Sequence, residues 1–196
     1  MRRKISAKAI LIPTVSLFLI CAFVTALLAV TNNVTADKIG ENELAKKNES
    51  MQAVCPGAAE FKELIPDVLY EGVGKDGSTV GYAVSTSAQG YGGQVKVMTG
   101  IKDDTILGVD VFYNDDETPG LGKNTSTEKF REQYKGKSTI SEIVVSKDNI
   151  TGNGQEVDAV TSATISSRAV TKAVNEACKL YNDNVADKAP GEKEGE

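Results

Sequence analysis

The sequence contains no histidine and only three cysteines in 196 residues. Histidine is the usual general acid or base near neutral pH and a common metal ligand, so its absence removes both roles. The cysteines, Cys21, Cys55 and Cys178, form neither a Cys-x-x-Cys pair nor a zinc pattern. We therefore expect no metal site, no ligation of haem or an iron–sulfur cluster, and no catalytic residue in this chain alone. Whether Cys55 and Cys178 form a disulfide is left open by their spacing.

An excess of basic residues is also missing, and residues 158–164 lack the glycines of a phosphate-binding loop. Because neither the P-loop nor the dinucleotide-binding pattern of glycines occurs in this stretch, a nucleotide-hydrolysing loop is not expected there. Beyond residue 36 the chain has 18 basic against 27 acidic residues, a net charge of about −9. This excess of acidic residues argues against nucleic acid as a partner.

Charged residues are absent from residues 9–36, and residues 9–30 are strongly apolar. An apolar helix of this length is enough to cross the hydrocarbon core of a bilayer. The run exceeds a typical signal-peptide core, and no well-placed cleavage site follows it. A lipoprotein signal is disfavoured because Ile20, rather than a small residue, precedes Cys21. The sequence therefore predicts an uncleaved membrane anchor.

Basic residues flank this apolar run on one side only. Arg2, Arg3, Lys4 and Lys8 precede it, whereas the first charge after it is Asp37. The positive-inside rule predicts a cytoplasmic N-terminus and an extracytoplasmic main domain in the cell membrane. We divide the chain into a basic N-terminus and transmembrane anchor over 1–36, a juxtamembrane helix or spacer over 37–55, a folded domain over 56–183 and a disordered tail over 184–196.

Hydrophobic periodicity predicts an α+β domain with an antiparallel sheet and packed helices. Apolar residues alternate over 80–84, 95–101 and 107–113, which indicates three strands in a meander, with Gly-Tyr-Gly-Gly at 90–93 as a turn. A further strand is expected over 140–145 and a further turn over 151–154. Helical spacing predicts a short helix over 61–69, a capping box from Thr125 to Glu128, and a long helix beyond Thr164.

The segment before the long helix carries the most distinctive pattern in the chain. It reads Asp-Ala-Val-Thr-Ser-Ala-Thr over residues 158–164, with hydroxyls and small side chains at the expected first turn of the helix. Hydroxyls at such a position are most often simple N-caps. Free N–H groups and the positive end of the helix dipole also make a helix start a site for phosphate. The residue types alone leave both interpretations open.

The same segment resembles the Asp-x-x-Ser/Thr-Gly/Ser-Ala-Thr signature of proteins that carry covalently bound FMN. A second signature of that family, Glu-Thr-Pro-Gly-Leu-Gly, occupies residues 117–122. Relatives often have a histidine shortly before this second motif, and its absence here excludes an imidazole at the flavin. The resemblance covers most of the chain. It is similar above all to the G subunit of the Rnf complexes, and more distantly to the C subunit of sodium-translocating NADH:quinone oxidoreductase.

This resemblance implies a cofactor site built from both motifs. FMN would be joined through a phosphoester to Thr164 by a flavin transferase that uses FAD as donor. Asp158 would serve recognition by that transferase or order the loop. The resemblance further implies a backbone cradle for the phosphate, formed by Thr161, Ser162 and Ala163. It also implies four neighbours of the flavin, namely Glu117, Thr118, Leu121 and Gly122.

The resemblance also implies a function. The chain would be an electron-transfer subunit of an ion-translocating ferredoxin:NAD oxidoreductase, and would pass electrons between other membrane and iron–sulfur subunits. One alternative is a stand-alone, membrane-anchored flavoprotein that shuttles electrons outside the cytoplasm. The other is an anchored sensor or binding module without cofactor. Co-purification distinguishes the first alternative, and the mass of the peptide that contains Thr164 distinguishes the second.

Overall fold

The computed structural model describes residues 7–146 and 154–186, and the chain divides into two units, Met1–Ala45 and Lys46–Glu196. Three α-helices are described, α1 (Ala7–Val54), α2 (Glu128–Arg131) and α3 (Thr164–Asn184), and 3-10 turns at Gly122–Ser126 and Glu132–Tyr134 flank α2. The strands within the described residues are β1 (Glu60–Ile65), β2 (Leu69–Val73), β3 (Thr79–Gln89), β4 (Gln94–Lys102), β5 (Thr105–Tyr113), β6 (Val144–Ser146) and β7 (Glu156–Asp158).

The first unit consists of the greater part of α1. The large apolar side chains of this helix between Ile10 and Val30 are exposed, because the chain offers them no core. By length and composition α1 can cross a membrane. It continues without a break into the predicted juxtamembrane segment and ends at Val54. Arg2, Arg3 and Lys4, on which the predicted orientation depends, lie outside the described residues.

The second unit is built on a five-stranded antiparallel sheet with the order β1-β2-β3-β4-β5. The three predicted strands correspond to β3, β4 and β5, and the predicted α+β class with an antiparallel sheet is confirmed. The predicted turn at 90–93 joins β3 to β4, where the Gly90 N–H donates to the Gly93 carbonyl at 2.8 Å. Of the strand expected over 140–145, only the end is found, as β6 (Val144–Ser146), which pairs in parallel with β7 in a separate two-stranded sheet.

The short helix predicted over 61–69 is wrong, because these residues form the β1–β2 hairpin. Pro66 cannot donate a helical hydrogen bond, and Asp67 adopts the left-handed conformation with φ 61°. The chain reverses there, and the Val68 N–H donates to the Ile65 carbonyl at 3.1 Å. The spacing of the apolar residues fits either a helix or a strand. Pairing of Leu69 with Val84 on β3 decides in favour of a strand.

The predicted capping box is also wrong. Helix α2 has Thr127 rather than Thr125 as its N-cap, and no side chain caps it. Thr125 is buried in the preceding 3-10 turn, where its hydroxyl donates to the Gly122 carbonyl at 2.7 Å. Gly136, with φ 80°, follows the helical segment as expected. The predicted turn over 151–154 and the predicted tail over 184–196 lie largely outside the described residues.

Two helices cover the two faces of the five-stranded sheet within the second unit. On one face α3 packs against β3 and β4, with Val170 and Val174 in the same cluster as Val84. On the other face the end of α1 packs through Met51 against Met98. Each fully buried aliphatic side chain contributes about 1.5–3 kcal/mol to folding. The sheet is therefore held from both sides, and the start of α3 is fixed on it.

The two buried cysteines lie on opposite faces of this sheet. Cys55 belongs to the cluster below α1 and Cys178 to the cluster below α3, and both are free thiols. Burial raises the pKa of Cys55 to about 12 and that of Cys178 to about 11. The question left open by their spacing is thus answered in favour of two inert, reduced thiols.

Candidate functional site

The loop over residues 158–164 connects β7 to α3 and is held by side chains on both sides. Gln133 clamps its first residue, since its Oε1 accepts from the Asp158 N–H at 2.7 Å and its Nε2 donates to the Asp158 carbonyl at 3.3 Å. Ser167 holds its far end, since its hydroxyl accepts from the Val160 N–H at 3.0 Å and donates to the Ala163 carbonyl at 2.9 Å. The loop is therefore positioned without help from its own hydroxyls.

The hydroxyls of this loop do not cap the helix. Thr161 and Ser162 are exposed and precede α3, which begins at Thr164, and no side chain caps its N-cap residue Ala163. Ser162 adopts the left-handed conformation with φ 61°. The expectation that several hydroxyls occupy the first turn is thus wrong, since Thr164 alone of the three lies within the helix. An uncapped start leaves backbone N–H groups for a bound anion.

Thr164 opens into a cavity of about 550 Å³. This volume lies within the usual range for small-molecule sites. Of the residues that the resemblance assigns to the cradle and to the flavin, six line the cavity together with Thr164: Ser162, Ala163, Glu117, Thr118, Leu121 and Gly122. The remaining one, Thr161, does not. The cavity also includes three residues that sequence reasoning did not assign, namely Tyr91, Ile165 and Ser166.

Glu117 lies in the wall of this cavity and is 2% exposed. Its Oε1 accepts from the Tyr91 N–H at 2.8 Å and the Gly92 N–H at 3.3 Å. Its Oε2 accepts from the Ser166 hydroxyl at 2.8 Å. Backbone N–H groups only donate, so Oε1 of this side chain acts as an acceptor. Glu117 joins the β3–β4 turn, its own loop and the first turn of α3.

The glycines around Glu117 leave room for its carboxylate. A Cβ on Gly90 would lie 2.0 Å from Oε1, and a Cβ on Gly122 would lie 2.1 Å from Oε2. Neither position can carry a larger residue unless the carboxylate moves. Gly90 and Gly122 therefore serve packing around a buried acid, a role that glycine composition alone does not reveal.

Three large side chains at the cavity remain exposed despite being apolar or aromatic. Tyr91 is 71% exposed, Ile165 54% and Leu121 40%. They come from three different segments, the β3–β4 turn, the first turn of α3 and the loop after β5. We call Tyr91, Leu121 and Ile165 the apolar rim. Such a rim suits a ligand with a flat apolar body and a polar end.

A second cavity of about 770 Å³ lies on the other side of Leu121 and Ser162, which line both cavities. Asp158 and Thr161 line the second cavity rather than the first, together with Lys129 and other residues of the α2 region. Asp158 is exposed, and none of the described residues forms a hydrogen bond with its carboxylate. The sequence pattern of residues 158–164 is thus divided between two cavities.

The described residues offer no other obvious chemistry. Within 7–146 and 154–186, no group of three or more acidic, cysteine or histidine side chains is placed to hold a metal ion. The acidic loop at Asp115 and Asp116 instead pairs locally, with Asp115 accepting from Lys46 at 3.2 Å and Asp116 from the Tyr113 hydroxyl at 3.3 Å. The cavity at Thr164 is therefore the principal candidate site.

Comparison with known families identifies the domain that contains this cavity. A model of the FMN-binding domain matches residues 90–179, a range that contains every residue lining the first cavity. A model of the RnfG N-terminal region matches residues 1–54, up to the end of α1. The G subunit of the Na⁺-translocating ferredoxin:NAD⁺ oxidoreductase complex of Acetobacterium woodii is 36% identical over 186 residues, covering 85% of this chain and 89% of the relative.

This chain belongs to the family of Rnf G subunits. The G subunit of the ion-translocating oxidoreductase complex of Methanosarcina acetivorans is 34% identical, over 83% of this chain and 89% of that protein. Among solved structures, the C subunit of the Na⁺-translocating NADH-quinone reductase from Parabacteroides distasonis matches with a TM-score of 0.50 and 25% identity, over 58% of this chain and 59% of its own. The predicted relationship to both kinds of subunit is thereby confirmed.

Proposed function

We propose that the chain carries FMN on Thr164 through a phosphoester and passes electrons within an ion-translocating ferredoxin:NAD oxidoreductase complex. One observation carries the proposal: in an FMN-binding domain, Thr164 begins a 21-residue helix without a side-chain cap and opens into a cavity of suitable size. The family and the names of its members supply the complex. FMN contributes reversible uptake of electrons, and the protein contributes attachment and surroundings.

The residues present fit this cofactor. A phosphodiester on Thr164 keeps one negative charge, which the uncapped N–H groups and dipole of α3 stabilise by about 0.3–1 kcal/mol. The apolar rim offers Tyr91, Leu121 and Ile165 to a planar ring. Ala163 and Gly122 also line the cavity, and their small size leaves space for the cofactor. In this proposal Thr118 and Ser162 contribute polar atoms to the same wall.

Attachment requires a bond exchange that this chain does not perform alone. The Thr164 oxygen would bond to the phosphorus on the FMN side of FAD while the bond between the two phosphates breaks. AMP leaves, and the threonine proton passes to a base of the flavin transferase. The exposed carboxylate of Asp158, free within the described residues, supports recognition by that transferase. The order of the loop is already provided by Gln133 and Ser167.

The place of the chain in the cell follows from the anchor. We propose that α1 spans the cell membrane with the N-terminus in the cytoplasm and the FMN-binding domain on the other side. Membrane subunits and iron–sulfur subunits of the complex would then donate and accept the electrons. Recovery of the chain as a lone, active yellow protein would favour the stand-alone shuttle, whereas recovery with such subunits would favour the complex.

The decisive experiment replaces Thr164 by valine, which is of similar shape and lacks the hydroxyl. The full chain is produced together with an active flavin transferase, and the denatured protein is inspected for flavin fluorescence and intact mass. We expect the wild type and T105V to carry one FMN each, because Thr105 is exposed and lines neither cavity. T164V is expected to carry none. A colourless, unmodified wild type would support a cofactor-free module instead.

A further inference from the structure

The first cavity is lined almost entirely by uncharged residues. Of the ten described residues that line it, Glu117 is the only acidic or basic one. This carboxylate is 2% exposed, and its three described hydrogen bonds come from two backbone N–H groups and a serine hydroxyl. No lysine or arginine is among its described partners, so its negative charge is solvated by neutral dipoles and not cancelled by a cation.

We infer that Glu117 is a positioning residue whose buried negative charge lowers the reduction potential of a flavin held on Thr164. The inference rests on the proposed function, since it requires FMN in this cavity. Any group that fills a space of about 550 Å³ lies within about 10 Å of its wall, which is the Debye length at 0.1 M salt. A buried charge is screened much less than an exposed one at that distance.

The sign of the effect follows from Coulomb's law. Addition of electrons, with at most an equal number of protons, makes the flavin more negative or leaves its charge unchanged. A fixed carboxylate beside it disfavours every reduced form that gains negative charge, and therefore favours the oxidised form. The same carboxylate cannot easily swing away, because Gly90 and Gly122 pack against its two oxygens. Its charge is thus placed rigidly in the cavity wall.

The arrangement also explains why an acid occupies this position. Its three hydrogen bonds join the β3–β4 turn, the loop after β5 and the first turn of α3. A glutamine has nearly the same shape and retains an acceptor for the Tyr91 and Gly92 N–H groups, while its amide donates to Ser166. Glutamine could therefore hold the same segments together. The geometry needs an acceptor, and only the electrostatic role needs the charge.

Glu117→Gln is therefore the informative variant. The full chain, with FMN attached by the transferase, is titrated in a spectroelectrochemical cell in detergent. We expect E117Q to keep its covalent flavin fluorescence and to shift the midpoint potential upward, with at least a tenfold change in the ratio of reduced to oxidised flavin, about 30 mV for a two-electron couple. Asp116→Asn changes an exposed, neighbouring acid outside the cavity lining, and we expect it to shift the midpoint potential much less.

Ser166→Ala provides an independent test that keeps the charge and removes one donor. We expect its midpoint potential to fall below the wild-type value, because the carboxylate is less compensated. A loss of order in the cavity would instead move E117Q and S166A in the same direction. If E117Q loses its flavin, the direction of the shift in S166A decides the matter. An unchanged potential in flavin-bearing E117Q overturns the inference, whereas a wild type without flavin overturns the proposed function.

Discussion

The two cavities that meet at Leu121 and Ser162 have opposite characters. The first contains one acidic residue, buried and hydrogen-bonded, behind an exposed apolar rim. The second is lined by exposed polar groups, including Lys129, Asp158 and Thr161. In the proposed function, the first cavity would hold the attached FMN, and the second would be the surface that the flavin transferase contacts. The same seven-residue pattern contributes to both, which is why its residues require different tests.

The largest effect on stability is expected at one of two glycines in the Glu-Thr-Pro-Gly-Leu-Gly motif, because the two line different cavities. Gly122 lines the first cavity and Gly120 the second. Replacement of Gly122 by alanine places a Cβ 2.1 Å from the Glu117 carboxylate and 2.8 Å from the Ser166 hydroxyl. We expect G122A to lower the free energy of unfolding by about 2–3 kcal/mol through overpacking and lost hydrogen bonds. Its covalent flavin content should fall with it.

Gly120→Ala is the matched control for this change. Its Cβ would meet nothing within 4 Å, but the residue has φ 77°, which an alanine adopts at a cost of about 1 kcal/mol. Denaturant unfolding of the full chain in detergent, followed by circular dichroism, measures both variants. Equal decreases in the free energy of unfolding of G120A and G122A would mean that backbone conformation, and not packing around Glu117, determines the stability of this loop.

A second test separates recognition from structure at Asp158. Its backbone is held by Gln133, and its carboxylate is free among the described residues. We therefore expect Asp158→Asn to slow flavin attachment at least tenfold while the free energy of unfolding changes by less than about 0.5 kcal/mol. The measurement is the rate of appearance of fluorescent protein in the presence of the purified transferase and FAD.

The control for that experiment is Asp116→Asn, an exposed acid outside the linings of both cavities. Flavin should be attached to it at the wild-type rate. Slow attachment to D116N would indicate that general negative charge attracts the transferase. A stable D158N that gains flavin normally would remove the recognition role, and the second cavity would lose its proposed partner.

The sequence predicted the central meander and the last helix because their periodicities are long and regular. It missed β1 and β2, where five apolar residues fit either a helix or a hairpin and where pairing with β3 decides. Residues of the two motifs do line one cavity, but their roles toward FMN stay predictions. Tyr91 and Ser166 were not assigned, since contact between segments about 75 residues apart depends on the tertiary fold.

Two physical details of the site could not be read from residue types. The hydroxyls of Thr161 and Ser162 suggested caps, yet neither caps α3, because Ser167 from within the helix already holds the preceding turn. The Glu-Thr-Pro motif predicts a flavin contact, which stays a prediction, but it does not reveal that its glutamate forms three hydrogen bonds inside the wall. In each case a partner outside the motif decides what the side chain does.

The smallest expected effect concerns Ser162, the residue shared by both cavities. Its φ of 61° is a left-handed conformation, which glycine adopts without the cost that a side chain brings. We expect Ser162→Gly to raise the free energy of unfolding by up to about 1 kcal/mol, part of the gain being offset by a more flexible unfolded chain. Ser162→Val should lower it by about 1–2 kcal/mol, since β-branched residues rarely adopt this conformation.

Flavin attachment in these two variants then tells whether the Ser162 hydroxyl, or only the backbone turn at this residue, is needed. If the backbone turn is all that matters, S162G gains flavin at the wild-type rate and S162V more slowly, in proportion to its lost stability. If the hydroxyl contacts the transferase or the phosphate, S162G gains flavin slowly although its fold is more stable. Opposite changes of stability and attachment rate in one variant would mean that the Ser162 hydroxyl takes part in attachment, because a residue that acts only through its backbone conformation changes both quantities in the same direction.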